Sequence, residues 1–227
     1  MLSARTLATA LLAAAPFAAH AELIVNGSFE ADVLAAGQWT VLPGLVGWQA
    51  DAGSGVELRS AVAGSAHSGR NFIELDTHTG RFGTSTFDAT TNSGIRQTIT
   101  TSAGQRYDLS WFYSPRAGVA AASNDIAVYW NDTLLTTNGG SGAGQSGHAW
   151  TQYSVQVVGT GSDTLRFAAG GTADSLGGSL DNVSMTAAAS SPVTHSPAVG
   201  AVPEPGTYAL MFAGLAAVGF VARRRGA

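Results

Sequence analysis

The segment Asn71 to Gly80 reads NFIELDTHTG and sets two carboxylates, Glu74 and Asp76, two residues apart. Side chains on a strand alternate between faces, so both share the face of Phe72, while Ile73 and Leu75 take the other and are the better core candidates. Two carboxylates on one strand face could divide the acid and base roles of glycoside hydrolysis. The same arrangement commonly serves hydrogen bonding at a sheet surface. His78 continues the parity and would complete a metal trio, but the glycines and threonines around it mark the end of the strand. Asp181 raises a different question. It shares parity with Val183 and Met185, so a regular strand aims its carboxylate at the apolar side. There it must take up a proton or find a cation.

Sugar recognition needs aromatic platforms beside planar polar groups. The candidates are Trp39, Trp48, Trp111, Trp130 and Trp150, with Tyr113, Tyr129, Arg116 and Asp125. Trp111 and Trp130 lie in phase with the aliphatic residues of their strands and belong to the core. Tyr129 is out of phase with Val128 and Trp130 and faces outward. Arg116 follows a proline at the start of a loop, where its guanidinium can pair with a carboxylate or lie over a ring. These leave Tyr129, Arg116, Trp39 and Trp150, with Glu74 and Asp76, as the ligand-binding set. The GQSGH around Ser146 is not a nucleophile elbow, because glycine follows the serine at once. Its glycine-rich surroundings have no phosphate-binding lysine and read as a flexible hairpin tip.

Strands must position these groups. Tyr107, Leu109, Trp111 and Tyr113 fall on one parity; Ile126, Val128 and Trp130 repeat the pattern, as do Tyr153, Val155 and Val157, Leu165 and Phe167, and Val183 and Met185. The turn signals SPRAG, WNDT, GTGSD and GGTADSLGG separate them. No stretch between Glu22 and Thr186 reads as a long amphipathic helix. The pattern predicts one all-β domain, an antiparallel β-sandwich of the jelly-roll kind with eight or so strands, over residues 22–186. A stretch of that length can bury a proper core.

Composition bounds the partners. Cysteine and lysine are both absent, so there is neither a disulfide framework nor a thiolate metal site. Between residues 22 and 202 seven arginines meet 14 acidic residues, a formal net charge of −7. Such a surface repels phosphate backbones and speaks against a nucleic-acid partner.

The ends of the chain look like addresses. Residues 1–21 combine one arginine, an apolar run and the small-residue pattern Ala19, His20, Ala21, which predicts a signal peptide cut by signal peptidase before Glu22. Residues 187–201, AAASSPVTHSPAVGA, predict a linker. Residues 202–227 hold Pro203, Glu204 and Pro205, an uncharged segment from Tyr208 to Ala222, then Arg223, Arg224 and Arg225. The uncharged part is short of the roughly 20 residues that span a bilayer comfortably, yet reads as a transmembrane segment if the arginine stems reach the interface. The arginines should stay cytoplasmic, which faces the domain outward. This tripartite order resembles the PEP-CTERM sorting signal of exported bacterial proteins. The resemblance implies processing by a membrane exosortase, transient anchoring in the inner membrane, and a destination in the cell envelope or the exopolysaccharide matrix of a biofilm. It is an address, and an address is not an activity.

Within the domain, the opening ELIVNGSFE and the closing GSLDNVSMT resemble the first and last strands of galactose-binding-like jelly rolls, including calcium-binding carbohydrate-binding modules. Trp48 after Gly47 matches a Gly-Trp pair of that family, and the resemblance implies packing, which sets it apart from the ligand-binding set. The resemblance implies one structural calcium ion, with Asp181 and Glu30 as carboxylate ligands, a carbonyl at Ser28, and Ser68 with the carbonyl of Asn71 closing the other side. Hard oxygen ligands suit calcium. The family pattern often has an acidic residue where Ser68 stands. The metal-free alternative is that Asp181 and Glu30 only accept backbone N–H bonds. Three functions follow: a non-catalytic protein binding carbohydrate, an adhesive protein contacting other proteins, and a glycan hydrolase using Glu74 and Asp76.

Overall fold

The computed structural model describes residues 21–77 and 91–189. The signal peptide, His78, most of the linker and the whole C-terminal signal, with its apolar segment, lie outside the described residues. Among those described, the one helical element is a single 3-10 turn, Ala121–Ser123, and no helix is long and apolar enough to cross a membrane.

The strands are β1 Gln38–Leu42, β2 Gly44–Leu45, β3 Trp48–Ala52, β4 Val56–Ser60, β5 Asn71–Glu74, β6 Asp76–Thr77, β7 Thr91–Asn92, β8 Gly94–Thr100, β9 Arg106–Ser114, β10 Asp125–Trp130, β11 Thr133–Asn138, β12 Thr151–Val158, β13 Ser162–Gly170 and β14 Ser179–Ala187. One sheet runs β1-β4-β5-β14-β9-β12 and the other β11-β10-β13-β8-β3-β2; β6 and β7 form a short ribbon. Every pairing is antiparallel. The expected sandwich is thus present, with more and shorter strands than the periodicity suggested. Among the described residues the hydrophobic core lies between Ile24 and Ala188.

The in-phase residues meet between the sheets: Leu109, Trp111 and Tyr113 from one, and Ile126, Val128, Leu165 and Phe167 from the other, are all buried there. A buried indole needs a partner for its N–H. Trp111 donates to Asn138 Oδ1 at 2.8 Å, Trp130 to the carbonyl of Val158 at 3.1 Å, and Trp48 to the carbonyl of Asn26 at 3.1 Å. These satisfied indoles confirm Trp48, Trp111 and Trp130 as packing residues. WNDT is a two-residue turn in which Asn131 and Asp132 both take positive φ, 48° and 63°, as a hairpin of matching twist requires.

Three expectations are corrected. The opening ELIVNGSFE is not a strand. It crosses the sandwich edge irregularly, with Asn26 and Phe29 at positive φ, and is fastened by Leu23 N–H to the Met185 carbonyl and by exchange between the Gln97 side-chain amide and the backbone of Val25. Second, the register of β14 shifts between Asp181 and Ser184, with Asn182 at φ 49°. The bulge reverses the parity, so Leu180 joins Val183 and Met185 in the core and Asp181 points to the other face of the sheet. Third, the glycine-rich run 139–150 is no hairpin tip. It joins β11 in one sheet to β12 in the other and is pinned by reciprocal backbone bonds, Gly118 N–H to the Gly142 carbonyl and Gly142 N–H to the Val119 carbonyl, both 2.8 Å.

Candidate functional site

All five residues of β4 are buried, although alternation should leave one face wet. Val56 and Leu58 enter the core; Glu57 and Arg59 lie on the outer face, beside Glu74 of β5. Loops 61–70 and 139–150 cover that face. His67 stacks on Phe112 at 3.4 Å between centroids, and His148 meets Phe72 edge-on at 4.6 Å and Trp150 at 4.7 Å. The His148 Nδ1 and the Trp150 indole N–H both bond the Ser65 carbonyl, and His148 Nε2 lies 3.1 Å from Ser179 Oγ. The neutral ring that donates through Nδ1 and accepts at Nε2 satisfies both contacts.

This clamp makes the first prediction. Burial holds His148 below the ordinary histidine range; its bond to Ser65 pulls the other way, and the charges of Arg59 and Arg116 add to the lowering. Below about pH 6.5 the unfolded chain takes up a proton that the folded ring refuses, so this group withdraws stability as pH falls. Glu74 and Asp181 act oppositely in the same interval, so the measurement is a difference. Between pH 7 and pH 5 the thermal midpoint of the wild type should fall further, or rise less, than that of His148→Gln.

Under the loops lies a charged cluster. Arg59 Nη2 is 2.5 Å from Glu57 Oε1, and Arg59 Nε is 3.3 Å from Glu74 Oε2. Arg116 Nη1 donates to both Glu74 oxygens at 2.6 and 2.7 Å and to the Ser175 carbonyl at 3.3 Å. Glu74 also accepts the Gly177 N–H at 3.2 Å. Burial pushes Glu74 up to about 7, against the pull of Arg59 and Arg116. Asp76, fully buried, accepts the N–H groups of Asp174 and Ser175 through Oδ2 at 2.7 and 2.8 Å. Both carboxylates of the catalytic reading therefore hold other parts of the fold.

Above this cluster opens a pocket of about 290 Å³, lined by Trp39, Arg59, Val62, Ala63, Arg116, Ser175 and Leu176. Of the ligand-binding set, Trp39 and Arg116 meet here, with Glu74 behind Arg116. Three others do not. Tyr129 stands on the outer face of the second sheet with the Arg166 guanidinium 3.9 Å over its ring, which occupies one face of the platform. Trp150 is part of the loop clamp. Asp76 is turned into the loop after β13. Arg59 was missed because its alternation with Leu58 reads as a solvent-facing charge; its pairing with Trp39 across β1 and β4 exists only in the fold.

Asp181 and Glu30 of the expected calcium set both bind the loop that carries Ser68 and Asn71. Asp181 Oδ2 accepts His67 and Ser68 N–H at 2.7 and 2.9 Å and Oδ1 accepts Asn182 N–H at 2.6 Å, while Glu30 Oε1 accepts Arg70 and Asn71 N–H at 2.8 and 2.6 Å. Gly69, at φ 68°, lets the loop lie against Glu30, whose carboxyl carbon would be 2.5 Å from any Cβ there. Burial pushes Asp181 up to about 7, and the negative charge of Glu30 adds to the rise. Ser68 reaches Asp181 through its main chain. Among the described residues both carboxylates take their hydrogen bonds from main-chain N–H groups, as the metal-free alternative expects, and the lone pairs left over are oxygen, the donor class of a hard cation.

The fold and pocket define the class: a jelly-roll β-sandwich with a half-open cleft at one edge of a sheet. The chain also carries, over residues 201–225, a match to the PEP-CTERM protein-sorting motif. Among solved structures it is similar to a Stig cyclase, FisC, from Fischerella, at 15% identity and TM-score 0.51, covering 76% of this chain and 100% of that one. It is also similar to the module TmCBM61 in complex with β-1,4-galactotriose (16%, 0.49, 74% and 99%) and to the K1 cleaved adhesin domain of Lys-gingipain from Porphyromonas gingivalis (14%, 0.47, 63% and 92%). These likenesses concern the fold. No curated protein matches the chain.

Proposed function

We propose that this is an exported, non-catalytic carbohydrate-binding protein, cut by signal peptidase, held briefly in the inner membrane and sorted by an exosortase to the cell envelope or exopolysaccharide matrix. The observation that carries the binding half is the pocket in which Trp39 and Arg116 converge over Arg59. An aromatic side chain beside planar, multi-donor guanidinium groups is the chemistry that polyhydroxylated ligands call for. Glu74 serves by fixing Arg116. In this reading one calcium, held by Asp181, Glu30, Ser68 and the carbonyls of Ser28 and Asn71, ties the opening segment to β14; its role is structural.

The test is affinity electrophoresis of residues 22–189 through the host's own exopolysaccharide and through plain glucans and galactans, with calcium and with a chelator. Retardation is expected in at least one gel, about tenfold weaker for Trp39→Ala, and reduced by the chelator. Free migration of the folded domain in every gel rejects carbohydrate binding and favours protein contact. Retardation that survives the chelator unchanged rejects the calcium.

A further inference from the structure

A pair of buried oxygens beyond the pocket lacks any donor. Asp76 is fully buried, and while its Oδ2 takes two main-chain N–H groups, its Oδ1 has no hydrogen-bond partner. Asn92 is its partner across the β6–β7 ribbon, so the two side chains leave the ribbon on the same face. The Asn92 amide is oriented by its Nδ2, which donates to the Gly171 carbonyl at 3.1 Å, and its Oδ1 is likewise buried and unpartnered. Two desolvated acceptors on one face of the ribbon, one of them a carboxylate, are costly unless something positive lies near them. Such exceptions in a folded protein call for an explanation.

We propose that Asp76 and Asn92, with Asp174, hold a divalent cation of the calcium class, at a site separate from that of Asp181. Asp174 brings a second carboxylate to the place: its Oδ2 accepts the Ser123 hydroxyl at 2.8 Å and its Oδ1 the Leu176 N–H at 3.2 Å, which leaves lone pairs on both oxygens. Burial raises the proton affinity of Asp76 against the pull of main-chain bonds from Asp174, Ser175 and Leu176, and the charge of Asp174 adds a smaller rise. The donor chemistry selects the ion. Among the described residues no three His, Cys, Asp or Glu side chains gather, so the site would rest on two carboxylates and one amide oxygen, hard donors of the kind calcium takes. The surrounding loop is built close: a Cβ on Gly177 would stand 2.6 Å from Asp76 Cβ. Ser175 and Leu176 of that loop also line the pocket, so the ion would fix one of its walls.

Calcium titration of chelator-stripped residues 22–189 by calorimetry tests this without any glycan. Asp76→Asn is expected to bind one calcium fewer per chain than the wild type, and the same loss is expected in an Asp181→Asn background, which separates the two sites. Equal calcium uptake by the wild type and Asp76→Asn overturns the proposal and leaves a proton or a bridging water between the oxygens. Should Asp76→Asn fail to fold, Asn92→Ala decides: at least a tenfold weaker calcium affinity supports the site, and an unchanged isotherm overturns it.

Discussion

Arg59→Met should lower stability by about 3–5 kcal/mol, the cost of removing one partner from a buried ion pair. Arg59 is 4% exposed and stands between Glu57 and Glu74, which are 0% and 1% exposed. Methionine keeps the volume and the apolar stem, so most of the loss is electrostatic. Arg116 still neutralises Glu74 in the variant, while Glu57 loses its guanidinium. In a domain of this size the thermal midpoint should drop by on the order of 10 °C. The deficit should shrink at pH 5 relative to pH 8, because the carboxylates left behind can take up protons there. A midpoint within about 2 °C of the wild type would mean that the cluster is solvated by movement of loop 61–70. Under the proposed function the same variant should weaken polysaccharide retention, because Arg59 lines the pocket with Trp39.

Gly27→Ala is expected to destabilise by about 3 kcal/mol, the upper part of the range for overpacking. A methyl at residue 27 would fall on the carbonyl oxygen and carbon of Val183, far inside van der Waals contact. Both sides of that contact are main chain, and neither can rotate away. The Gly27 carbonyl also accepts the Val183 N–H at 2.9 Å, the bond that fastens the opening segment to the bulge of β14. Loss of this bond should show as faster hydrogen exchange at Val183, together with a lower midpoint. An unchanged midpoint with Val183 still protected would show that the opening segment docks by its side chains, Ile24 and Phe29, and not by its backbone. Because Ser28 and Glu30 of the proposed calcium site follow directly, any stabilisation by added calcium should weaken in the same variant.

Much of the fold was legible because strand parity is local. Leu109, Trp111 and Tyr113 alternate with polar neighbours, and no distant residue is needed to say which side is dry. The same logic placed Ile73 and Leu75 in the core and turned Tyr129 outward. It failed at Asp181, where one extra residue in β14 reverses the parity. A bulge leaves no mark in apolar periodicity; here its trace was Asn182, a residue type that tolerates positive φ. It failed also at the glycine-rich run 139–150, whose composition says turn but not which two strands it joins.

The sequence by itself determined the all-β sandwich, the packing tryptophans and the C-terminal sorting motif, because each is written in neighbouring residues: parity in the strands, and a linear tripartite order in the tail. The tertiary structure alone decided the site. Glu57, Arg59, Glu74 and Asp76 have the spacing of an ordinary wet face, and they are buried because the β4–β5 loop 61–70, the distant run 139–150 and, over Asp76, the loop after β13 fold over them and exclude water. Desolvation, which makes these charges pair and pushes Glu74 and Asp181 up to about 7, is a property of what covers a residue and not of its neighbours in the chain.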